Sequence, residues 1–577
     1  MNFVTDGNTN YCIKVPQGAS SMIGYAASEL QTLFAEATGA ALSVGDGGER
    51  FVSLGRTEEF INAGYSVTEA ETGKTGFIIK TDDKGNVFIA GSEDVGTLNG
   101  VYGFLEKTLN FDCFTKGVYH IDKVSELSFM PFNLTEKPSF DYRQVNYAEL
   151  REDETTYRRM RMQPAPEQYV TGNAYHNSIE ILTYKRVLNG ESKDDVIKEY
   201  TASGWINNGQ LCYSAADMRA AFIESLKLYL QSKYCNLSRN LMVIGMEDAV
   251  TWCDCSACGA APSKVYAEFM NAVAEAINAE RESAGESPVT FLMFAYYYTL
   301  EPPKGVTLNK NVGVLFAPIK ARFTLGLTDA ENAMYETALA GWAALTDNLY
   351  GWTYNAYFGQ TLVMYDTFGV LQENYKLLLK YGVKGLYDQT ESYMAVSSGF
   401  GRLKGYLQSK LLWNVNADAE ALTDKFFNAV YGNAAETMKT VFNETRAYYK
   451  HLYETADKFN GQTGLADSDK RKYSEGSVDF AASYACLQSG GSEYAAFKTK
   501  LEGWISALNT AKSAAAAEEA ERIKLETLQY RYLYLRIYGE TDTITKADFK
   551  TDIDSFGILY YKEGKKVTEL WQEWGLE

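Results

Sequence analysis

The sequence has little of several features that would point to a function, and each shortage excludes a class of protein. No stretch approaches about 18 consecutive apolar residues, so the sequence predicts no membrane span. Basic residues are scarce, with 55 Lys and Arg against 74 Asp and Glu and a net charge of −19, so we expect no nucleic-acid partner. Eight cysteines in 577 residues are too few for a disulfide-rich scaffold.

Aromatic residues, by contrast, are abundant, with 42 Tyr, 29 Phe and 8 Trp. A tyrosine offers an apolar ring with a polar tip, which suits the faces of sugars and other amphipathic ligands. Most of these rings are expected in the core or on an ordinary surface, so only clusters of them indicate a site. The chain is long enough for about two to four domains.

The order of predicted strands and helices divides the chain into three parts. Residues 1–135 predict a small α/β domain, with a helix over 26–38 and two strands within 76–91. Residues 138–414 repeat a strand, a loop and a helix, which predicts a (β/α)8 TIM-like barrel. Residues 415–577 contain long amphipathic segments and predict a C-terminal helical bundle. The predicted fold class is therefore α/β.

Eight strand candidates supply the barrel, and the second and third are included partly to complete the count. They cover residues 142–146, 157–162, 169–175, 241–246, 289–299, 312–318, 349–355 and 383–388. Among the helices between them, one is predicted to begin at Ser214, with Asp217 three residues later as in a capping box.

Three thiols follow the fourth predicted strand at close spacing. Cys253, Cys255 and Cys258 can converge on one soft metal ion, but a structural zinc site needs four ligands. Cys212 is the predicted fourth ligand, because a barrel would place it on the neighbouring loop at the same face. Disulfides and reduced buried thiols are the alternatives. A zinc-dependent hydrolase is disfavoured, because four thiolates leave no open position for water.

Carboxylates follow two of the predicted strands, where an α/β barrel keeps its chemistry. Glu247 and Asp248 follow the fourth strand, and since successive residues point in opposite directions, only one is expected to face the pocket. Asp388 and Glu391 follow the eighth strand, across the barrel mouth. Two acids across a pocket suit glycosidic cleavage, in which one protonates the leaving oxygen and the other attacks or activates water. The alternative for each acid is to cap a helix.

Other residues on the predicted strands or at their ends suit sugar recognition. They are Arg143, His176, Tyr296, Tyr298, Trp352, Tyr354 and Asn355. Aromatic rings can stack on the faces of a pyranose, and strand alternation predicts that Tyr296 and Tyr298 share one side. A buried arginine is costly unless paired, so Arg143 is expected to meet a carboxylate of the site or of the substrate.

Several motifs together resemble the domain of unknown function 4838 family, which is associated with bacterial polysaccharide-utilising proteins. They are Asp248 before Cys253, Cys255 and Cys258, then Gln210-Leu211-Cys212, the tyrosine-rich run from Tyr296 to Pro303, Gly382-Val383-Lys384-Gly385, Leu411-Leu412-Trp413-Asn414 and Val430-Tyr431-Gly432. The resemblance covers about residues 140–435 and implies a glycoside-hydrolase-like TIM barrel.

A second resemblance concerns the first domain. Residues 27–39 and 91–104 are similar to the small domain that precedes the barrel in α-glucuronidases and β-N-acetylhexosaminidases. This resemblance implies a carbohydrate-active enzyme, without naming its sugar. We expect no organic cofactor. Acetylhexosaminidases carry Asp-Glu after the fourth strand, whereas this chain carries Glu247-Asp248, so their detailed chemistry is not expected here.

We therefore expect a glycoside hydrolase that acts on a polysaccharide or host glycan through paired carboxylates. The alternative is a non-catalytic glycan-binding protein on a degenerate barrel, where the same acids only accept hydrogen bonds. Residues 1–6 show no basic and then apolar leader. A secreted, periplasmic or cell-surface location after removal of a signal is expected, with a cytosolic location as the alternative. The sequence indicates no oligomeric state.

Overall fold

A computed structural model describes residues 2–164, 175–235, 237, 240–249, 251–356, 358–391, 396–454 and 485–576. The strands are β1 (Asn2–Val4), β2 (Tyr11–Lys14), β3 (Ser43–Val44), β4 (Arg50–Leu54), β5 (Phe77–Thr81), β6 (Val87–Gly91), β7 (Asp112–Thr115), β8 (Val118–His120), β9 (Leu127–Ser128), β10 (Asn133–Glu136), β11 (Tyr142–Val145), β12 (Ile206–Asn207), β13 (Gln210–Leu211), β14 (Leu241–Val243), β15 (Thr290–Ala295), β16 (Val312–Phe316), β17 (Leu349–Tyr354), β18 (Val383–Gln389), β19 (Tyr560–Lys562) and β20 (Lys565–Lys566).

The α-helices outnumber the longer strands and fill the C-terminal part of the chain. They are α1 (Ser21–Thr38), α2 (Glu58–Asn62), α3 (Glu69–Thr72), α4 (Asp94–Leu109), α5 (Ala148–Arg151), α6 (Glu154–Arg159), α7 (Ser178–Leu188), α8 (Lys193–Ala202), α9 (Ala216–Leu230), α10 (Ser256–Ala260), α11 (Pro262–Ser283), α12 (Ala333–Ala343), α13 (Leu371–Lys380), α14 (Gly401–Trp413), α15 (Ala419–Tyr431), α16 (Ala435–Glu454), α17 (Tyr494–Ala514), α18 (Ala517–Tyr538), α19 (Lys546–Ser555) and α20 (Val567–Trp574).

The first six-stranded sheet has the order β10-β5-β6-β4-β2-β3 and mixes parallel and antiparallel pairs. Helices α1 and α4 pack on it through buried apolar residues such as Leu33 and Leu105. The approach of α4 is close, because a Cβ at Gly103 would lie 2.4 Å from the ring of Phe77. Small residues at this helix face therefore let the helix lie directly on the sheet.

The second six-stranded sheet has the order β11-β18-β17-β16-β15-β14, and all of its pairs are parallel. Strands β14, β15 and β16 are largely continuous hydrophobic runs, as is typical of a parallel sheet covered on both faces, whereas β11 and β18 also contain polar residues. The side chains of Val312–Phe316, for example, are all buried. The sheet forms a half-barrel whose strand carboxyl ends share one edge, and this edge positions the candidate site.

Side chains also bond to both outer strands of the half-barrel. At the β11 edge, the Arg143 N–H donates to Gln163 Oε1 at 2.6 Å. At the β14 edge, Asn177 Nδ2 donates to the Val243 carbonyl at 2.9 Å, and the Gly245 N–H donates back to Asn177 Oδ1 at 3.0 Å. These bonds satisfy backbone groups that strand pairing leaves over.

Six of the eight predicted barrel strands occur in this sheet, and one prediction is wrong. Residues 157–162 contain the end of α6 and a turn instead of a strand. Apolar residues two and three apart there fit either periodicity, and all of Tyr157, Met160 and Met162 are buried. The predicted strand over 169–175 lies almost wholly outside the described residues.

The long helices predicted near the C-terminus are observed as α16, α17 and α18. Helix α18 packs against α17, with the rings of Trp504 and Tyr530 at 5.3 Å. It also reaches the loops after β17 and β18, since Gln529 Oε1 accepts the Met364 N–H and Glu526 Oε2 accepts the Phe400 N–H. Helix α18 therefore braces loops beside the strand carboxyl ends. Within the described ranges, no helix has the length and apolarity needed to cross a membrane.

Candidate active site

An exposed carboxylate lies at the shared carboxyl edge of β14 and β15. The side chain of Asp248 is 68% exposed, and its Oδ1 lies 4.0 Å from His176 Nε2. The Tyr296 hydroxyl donates to the same oxygen at 3.3 Å. Three residues from different parts of the chain thus meet at one point, with the carboxylate facing solvent.

The imidazole of His176 is fixed in one orientation. Its Nδ1 lies 2.6 Å from the Met246 carbonyl, which can only accept, so Nδ1 carries a hydrogen. The ring also stacks on Phe294 at 5.4 Å with planes 17° apart. Nε2 is therefore the atom that faces Asp248, and in the neutral ring it is a hydrogen-bond acceptor.

Aromatic residues form the inner wall beside this carboxylate. Trp352 lies 5.9 Å from Phe294 and 6.0 Å from Tyr354 between ring centroids, and its indole N–H donates to Gln389 Oε1. Burial raises the pKa of Tyr296 and of Tyr354, and the nearby Asp248 charge adds to both effects. Both hydroxyls therefore stay protonated at neutral pH and can donate hydrogen bonds.

Strand alternation predicts that Tyr296 and Tyr298 share one side, but the structure places them differently. The strand β15 ends at Ala295, and a 3-10 helix follows over Tyr297–Thr299. Tyr296 is buried, whereas Tyr298 is 47% exposed and stacks on Trp252 at 6.1 Å. The predicted placement is wrong because the alternation of a strand holds only as far as Ala295.

The two acids after β14 have different environments. Glu247 Oε1 accepts hydrogen bonds from the Ser178 hydroxyl and the Ile179 N–H, both at 2.8 Å, at the start of α7. Burial raises the pKa of Glu247, while those two hydrogen bonds oppose the rise. Glu247 therefore anchors a helix, and Asp248 is the acid of this pair that faces solvent.

Asp388 lies in a fully buried polar cluster under the aromatic wall. Its two oxygens accept hydrogen bonds from four side chains, which are Thr353, Asn355, Tyr375 and Gln408. The residue is 0% exposed, and burial raises the pKa of its carboxyl against the effect of these donors. The geometry argues against the predicted catalytic role of Asp388 and, equally, against hydroxyl recognition by Asn355.

Glu391 lies at the edge of the same cluster and is 5% exposed. Burial raises the pKa of its carboxyl, although the Lys404 ammonium and the Tyr147 hydroxyl act in the opposite direction. Within the described part of the chain, Glu391 Oε2 has no hydrogen-bond partner. Glu391 is therefore a buried carboxyl whose pKa lies above its ordinary value.

Arg143 does not contact any of these acids through its described hydrogen bonds. Its guanidinium donates to the carbonyls of Phe140 and Arg161 and to the Thr75 hydroxyl, and it lies 4.9 Å from the Trp413 ring. Phe140 lies just before β11, Arg161 lies in the turn after α6, and Thr75 lies just before β5. Among the described hydrogen bonds, carbonyl oxygens compensate the buried charge for which the sequence predicts a carboxylate.

The four thiols predicted to converge do so. The sulfurs of Cys212, Cys253, Cys255 and Cys258 all lie within 4.8 Å of one another, and none forms a disulfide. The Sγ atoms of Cys212 and Cys255 are 3.7 Å apart. A tetrahedral site with Zn–S bonds of about 2.3 Å requires sulfurs about 3.8 Å apart. The cluster could therefore hold one metal ion.

The sequence predicts that Ser214 caps α9, but the Ser214 side chain belongs to the thiol cluster instead. No side chain caps that helix, and the Ser214 hydroxyl lies 3.4 Å from the sulfurs of Cys212 and Cys255. Burial opposes ionisation of Cys255, but the Ser214 hydroxyl and the Cys258 N–H lower the pKa of its thiol to about 6. A thiolate, the form that binds metals, is thus favoured within the cluster.

The thiol cluster is joined to the carboxylate by one side-chain amide. Gln210 Nε2 donates to the Glu247 carbonyl at 2.8 Å, and the Glu247 N–H donates to Gln210 Oε1 at 3.0 Å. Gln210 lies two residues before Cys212 and holds the backbone directly before Asp248. The Gln-Leu-Cys motif was noted in the sequence, but this role of Gln210 depends on a distant contact that no local signal shows.

Comparison with known proteins agrees with both resemblances found in the sequence. The family described as "Domain of unknown function (DUF4838)" matches residues 115–443. The family described as "Glycosyl hydrolase family 67 N-terminus" matches residues 10–104. A comparison with curated proteins found no significant match.

Solved glycoside hydrolases are similar in structure to this chain. The family GH115 4-O-methyl-α-glucuronidase BtGH115A, specific for decorated arabinogalactans, is 11% identical with a TM-score of 0.54. The match covers 96% of this chain and 76% of that enzyme's chain. The Flavobacterium johnsoniae chitobiase is 13% identical with a TM-score of 0.41, and the match covers 96% of this chain and 94% of the chitobiase chain. A family GH138 enzyme that targets pectin rhamnogalacturonan II is 9% identical with a TM-score of 0.44, and the match covers 96% of this chain and 75% of that enzyme's chain.

The likeness to the first of these structures shows a glycosidase-like α/β fold and nothing finer. The family match carries more, because residues 115–443 are over half of a chain of 577 residues. The protein therefore belongs to the DUF4838 family.

Proposed function

We propose that the protein is a glycoside hydrolase in which Asp248 is the solvent-facing catalytic carboxylate. The observation that carries the proposal is an acid at the carboxyl edge of a parallel half-barrel, 68% exposed and flanked by His176 and Tyr296. An ionised carboxylate there can activate water or stabilise the positive charge that develops on a sugar ring. The protonated tyrosines of the wall can donate to sugar hydroxyls.

Glu391 is proposed as the second carboxyl, acting as general acid. A general acid must hold a proton near neutral pH, and burial raises the pKa of Glu391 in that direction. Its position after β18 puts it at the same edge of the sheet as Asp248. Asp388, whose oxygens already accept four hydrogen bonds, is assigned to holding the wall between β17 and β18.

A non-catalytic glycan-binding protein is the second candidate. It is favoured by the burial of Asp388 and Glu391, which leaves Asp248 as the exposed member of the four predicted acids. Under this candidate the same tyrosines bind sugar, and the acids only accept hydrogen bonds.

Turnover and binding on one panel of aryl glycosides and plant or host glycans separates the two candidates. The proteins tested on this panel of glycans are the wild type, Asp248→Asn, Glu391→Gln and the control Asp347→Asn. Asp347 is an exposed aspartate just before the amino end of β17, far along the strands from the site. The hydrolase is supported if the wild type and Asp347→Asn cleave a glycan while Asp248→Asn and Glu391→Gln do not. Sugar binding without turnover by the wild type supports the binding protein.

Closure of the half-barrel into a complete (β/α)8 barrel is also proposed. It is supported by the bonds of Gln163 and Asn177 at opposite outer strands of the sheet. A complete barrel would enclose the aromatic wall from all sides, as in other barrel enzymes. An experimental structure of the whole chain would decide it, because in an open sheet β11 and β14 would each have a neighbouring strand on one side only.

For the thiol cluster we propose a structural zinc ion. Four sulfur ligands saturate zinc and leave no position for a catalytic water, so the ion would hold the loop and take no part in bond cleavage. Through Gln210 it would fix the backbone that presents Asp248. Metal analysis of the purified protein tests this proposal directly.

A further inference from the structure

A cavity lies beside the segments that follow β15 and β16. Its volume is about 320 Å³, and its lining includes Tyr297, Tyr298, Lys320, Met334 and Tyr335. This volume lies at the small end of the range for ligand pockets. The cavity is framed by the carboxyl ends of β15 and β16, the same edge of the sheet that carries the candidate site.

Tyr297 joins the cavity to the candidate site. Its ring lies edge-on against Tyr296 at 4.3 Å, and the Tyr296 hydroxyl in turn donates to Asp248. Tyr297 has a φ of 44°, a left-handed conformation that a bulky residue rarely adopts. Strain of this kind persists where the surrounding structure requires it, and it is frequent at binding sites. Tyr297, which lines the cavity, and Tyr296, which bonds to Asp248, therefore link the cavity to the candidate site.

The accessible surface of the cavity is aromatic and apolar. Tyr298 is 47% exposed and Met334 is 37% exposed, although both are large apolar side chains. Tyr298 is held in place by stacking on Trp252 at 6.1 Å with planes 28° apart. A fixed and exposed ring of this kind is suited to stacking against the C–H face of a sugar.

The cavity also holds a positive charge, the ammonium of Lys320. Lys320 Nζ lies 4.9 Å from the centre of the Tyr297 ring. Over the ranges that the structure describes, no carboxylate lies within the 4.0 Å ion-pair distance of this ammonium. In a chain of net charge −19 such a cation attracts an anionic group into the cavity.

We propose that this cavity is a saccharide subsite for an acidic sugar, whose ring stacks on Tyr298 and whose carboxylate or sulfate pairs with Lys320. It rests on the proposed function only in that the acidic unit would neighbour the sugar at Asp248. Binding to the cavity itself requires no turnover. The shared chemistry of the ligand is a pyranose that carries one negative charge.

The test is equilibrium binding of three probes, glucuronic acid, glucose 6-sulfate and glucose, measured by calorimetry or ligand-observed NMR. The proteins are the wild type, Lys320→Gln, Lys320→Arg and the control Lys304→Gln, which removes an exposed lysine outside the cavity lining. We expect the wild type to bind at least one acidic probe about tenfold more tightly than glucose. Lys320→Gln should abolish this preference, while Lys320→Arg and Lys304→Gln should keep it.

A fifth protein, Tyr298→Ala, tests the stacking surface. It should weaken all three probes while keeping the preference for the charged ones, because the exposed ring contributes to each complex and Lys320 is unchanged. Equal affinity of the wild type for glucose and both acidic probes would overturn the proposal, and so would a preference that survives Lys320→Gln. Preference for one acidic probe identifies the group as carboxylate or sulfate. If the protein cleaves no glycoside, these binding results still decide the subsite.

Discussion

Replacing one thiol of the four-cysteine cluster should remove a zinc ion from the protein. The Sγ atoms of Cys212 and Cys255 are 3.7 Å apart, against about 3.8 Å in a tetrahedral zinc site, so the sulfurs are already arranged for the metal. Losing even an outer hydrogen-bond partner of a zinc ligand typically lowers affinity by about 10- to 100-fold. Cys212→Ser, which removes a ligand itself, should therefore weaken binding by more than about a hundredfold.

The effect on stability follows from the loss of binding. A site that is filled at about a hundred times its dissociation constant stabilises the folded state by about 2.7 kcal/mol, and this contribution would disappear in Cys212→Ser. The control is Cys235→Ser, since Cys235 is a half-buried free thiol outside the cluster. It should retain both the metal and the stability of the wild type.

The assay is elemental analysis of protein purified under reducing conditions, followed by denaturant unfolding with and without a chelator. We predict one zinc per chain for the wild type and for Cys235→Ser, and none for Cys212→Ser. A wild type that carries no metal while its cluster thiols react as free thiols would refute the reasoning. A mass that shows cluster disulfides in the purified protein would refute it equally.

Two further predictions concern buried acids. Asp388→Asn should lower the free energy of unfolding by about 3 kcal/mol, because an amide N–H₂ would face donors that now bond to a carboxylate; denaturant unfolding beside Asp347→Asn checks this, and an unchanged midpoint contradicts it. Burial raises the pKa of Glu526 from 4.5 to about 7, so the folded state binds this proton more tightly than the unfolded chain. Stability should therefore fall as pH rises from 4.5 to 7, by up to about 3 kcal/mol, and stay level above. Glu526→Gln should show a smaller fall between pH 5 and 8, and identical pH profiles of the two proteins would count against this assignment.

Patterns that depend on neighbouring residues could be predicted from the sequence. Parallel strands covered on both faces are continuous hydrophobic runs, so residues such as 312–316 stand out. The thiols of Cys253, Cys255 and Cys258 converge because their spacing is local, and Cys212 joins them through barrel-like strand order. The same logic separated Glu247 from Asp248, since successive residues leaving a strand face opposite ways.

Features that depend on distant partners could not be predicted. Asp388 lies near the carboxyl end of β18, where a catalytic acid is expected, but Asn355, Tyr375 and Gln408, from three other segments, bury it and occupy its oxygens. The carbonyls that receive Arg143 likewise come from turns whose shape the sequence does not reveal. Tyr298 was misplaced for a different reason, because nothing in a run of tyrosines shows where β15 ends.

The central claim is that Asp248 performs chemistry and does more than bind sugar. The measurement that tests it most directly is the comparison of kcat, KM and sugar affinity between the wild type and Asp248→Asn, on a saccharide that the wild type cleaves. We predict that kcat falls by at least about a hundredfold while the affinity for the sugar changes by less than about threefold. An unchanged kcat, or a loss confined to affinity, would contradict the account.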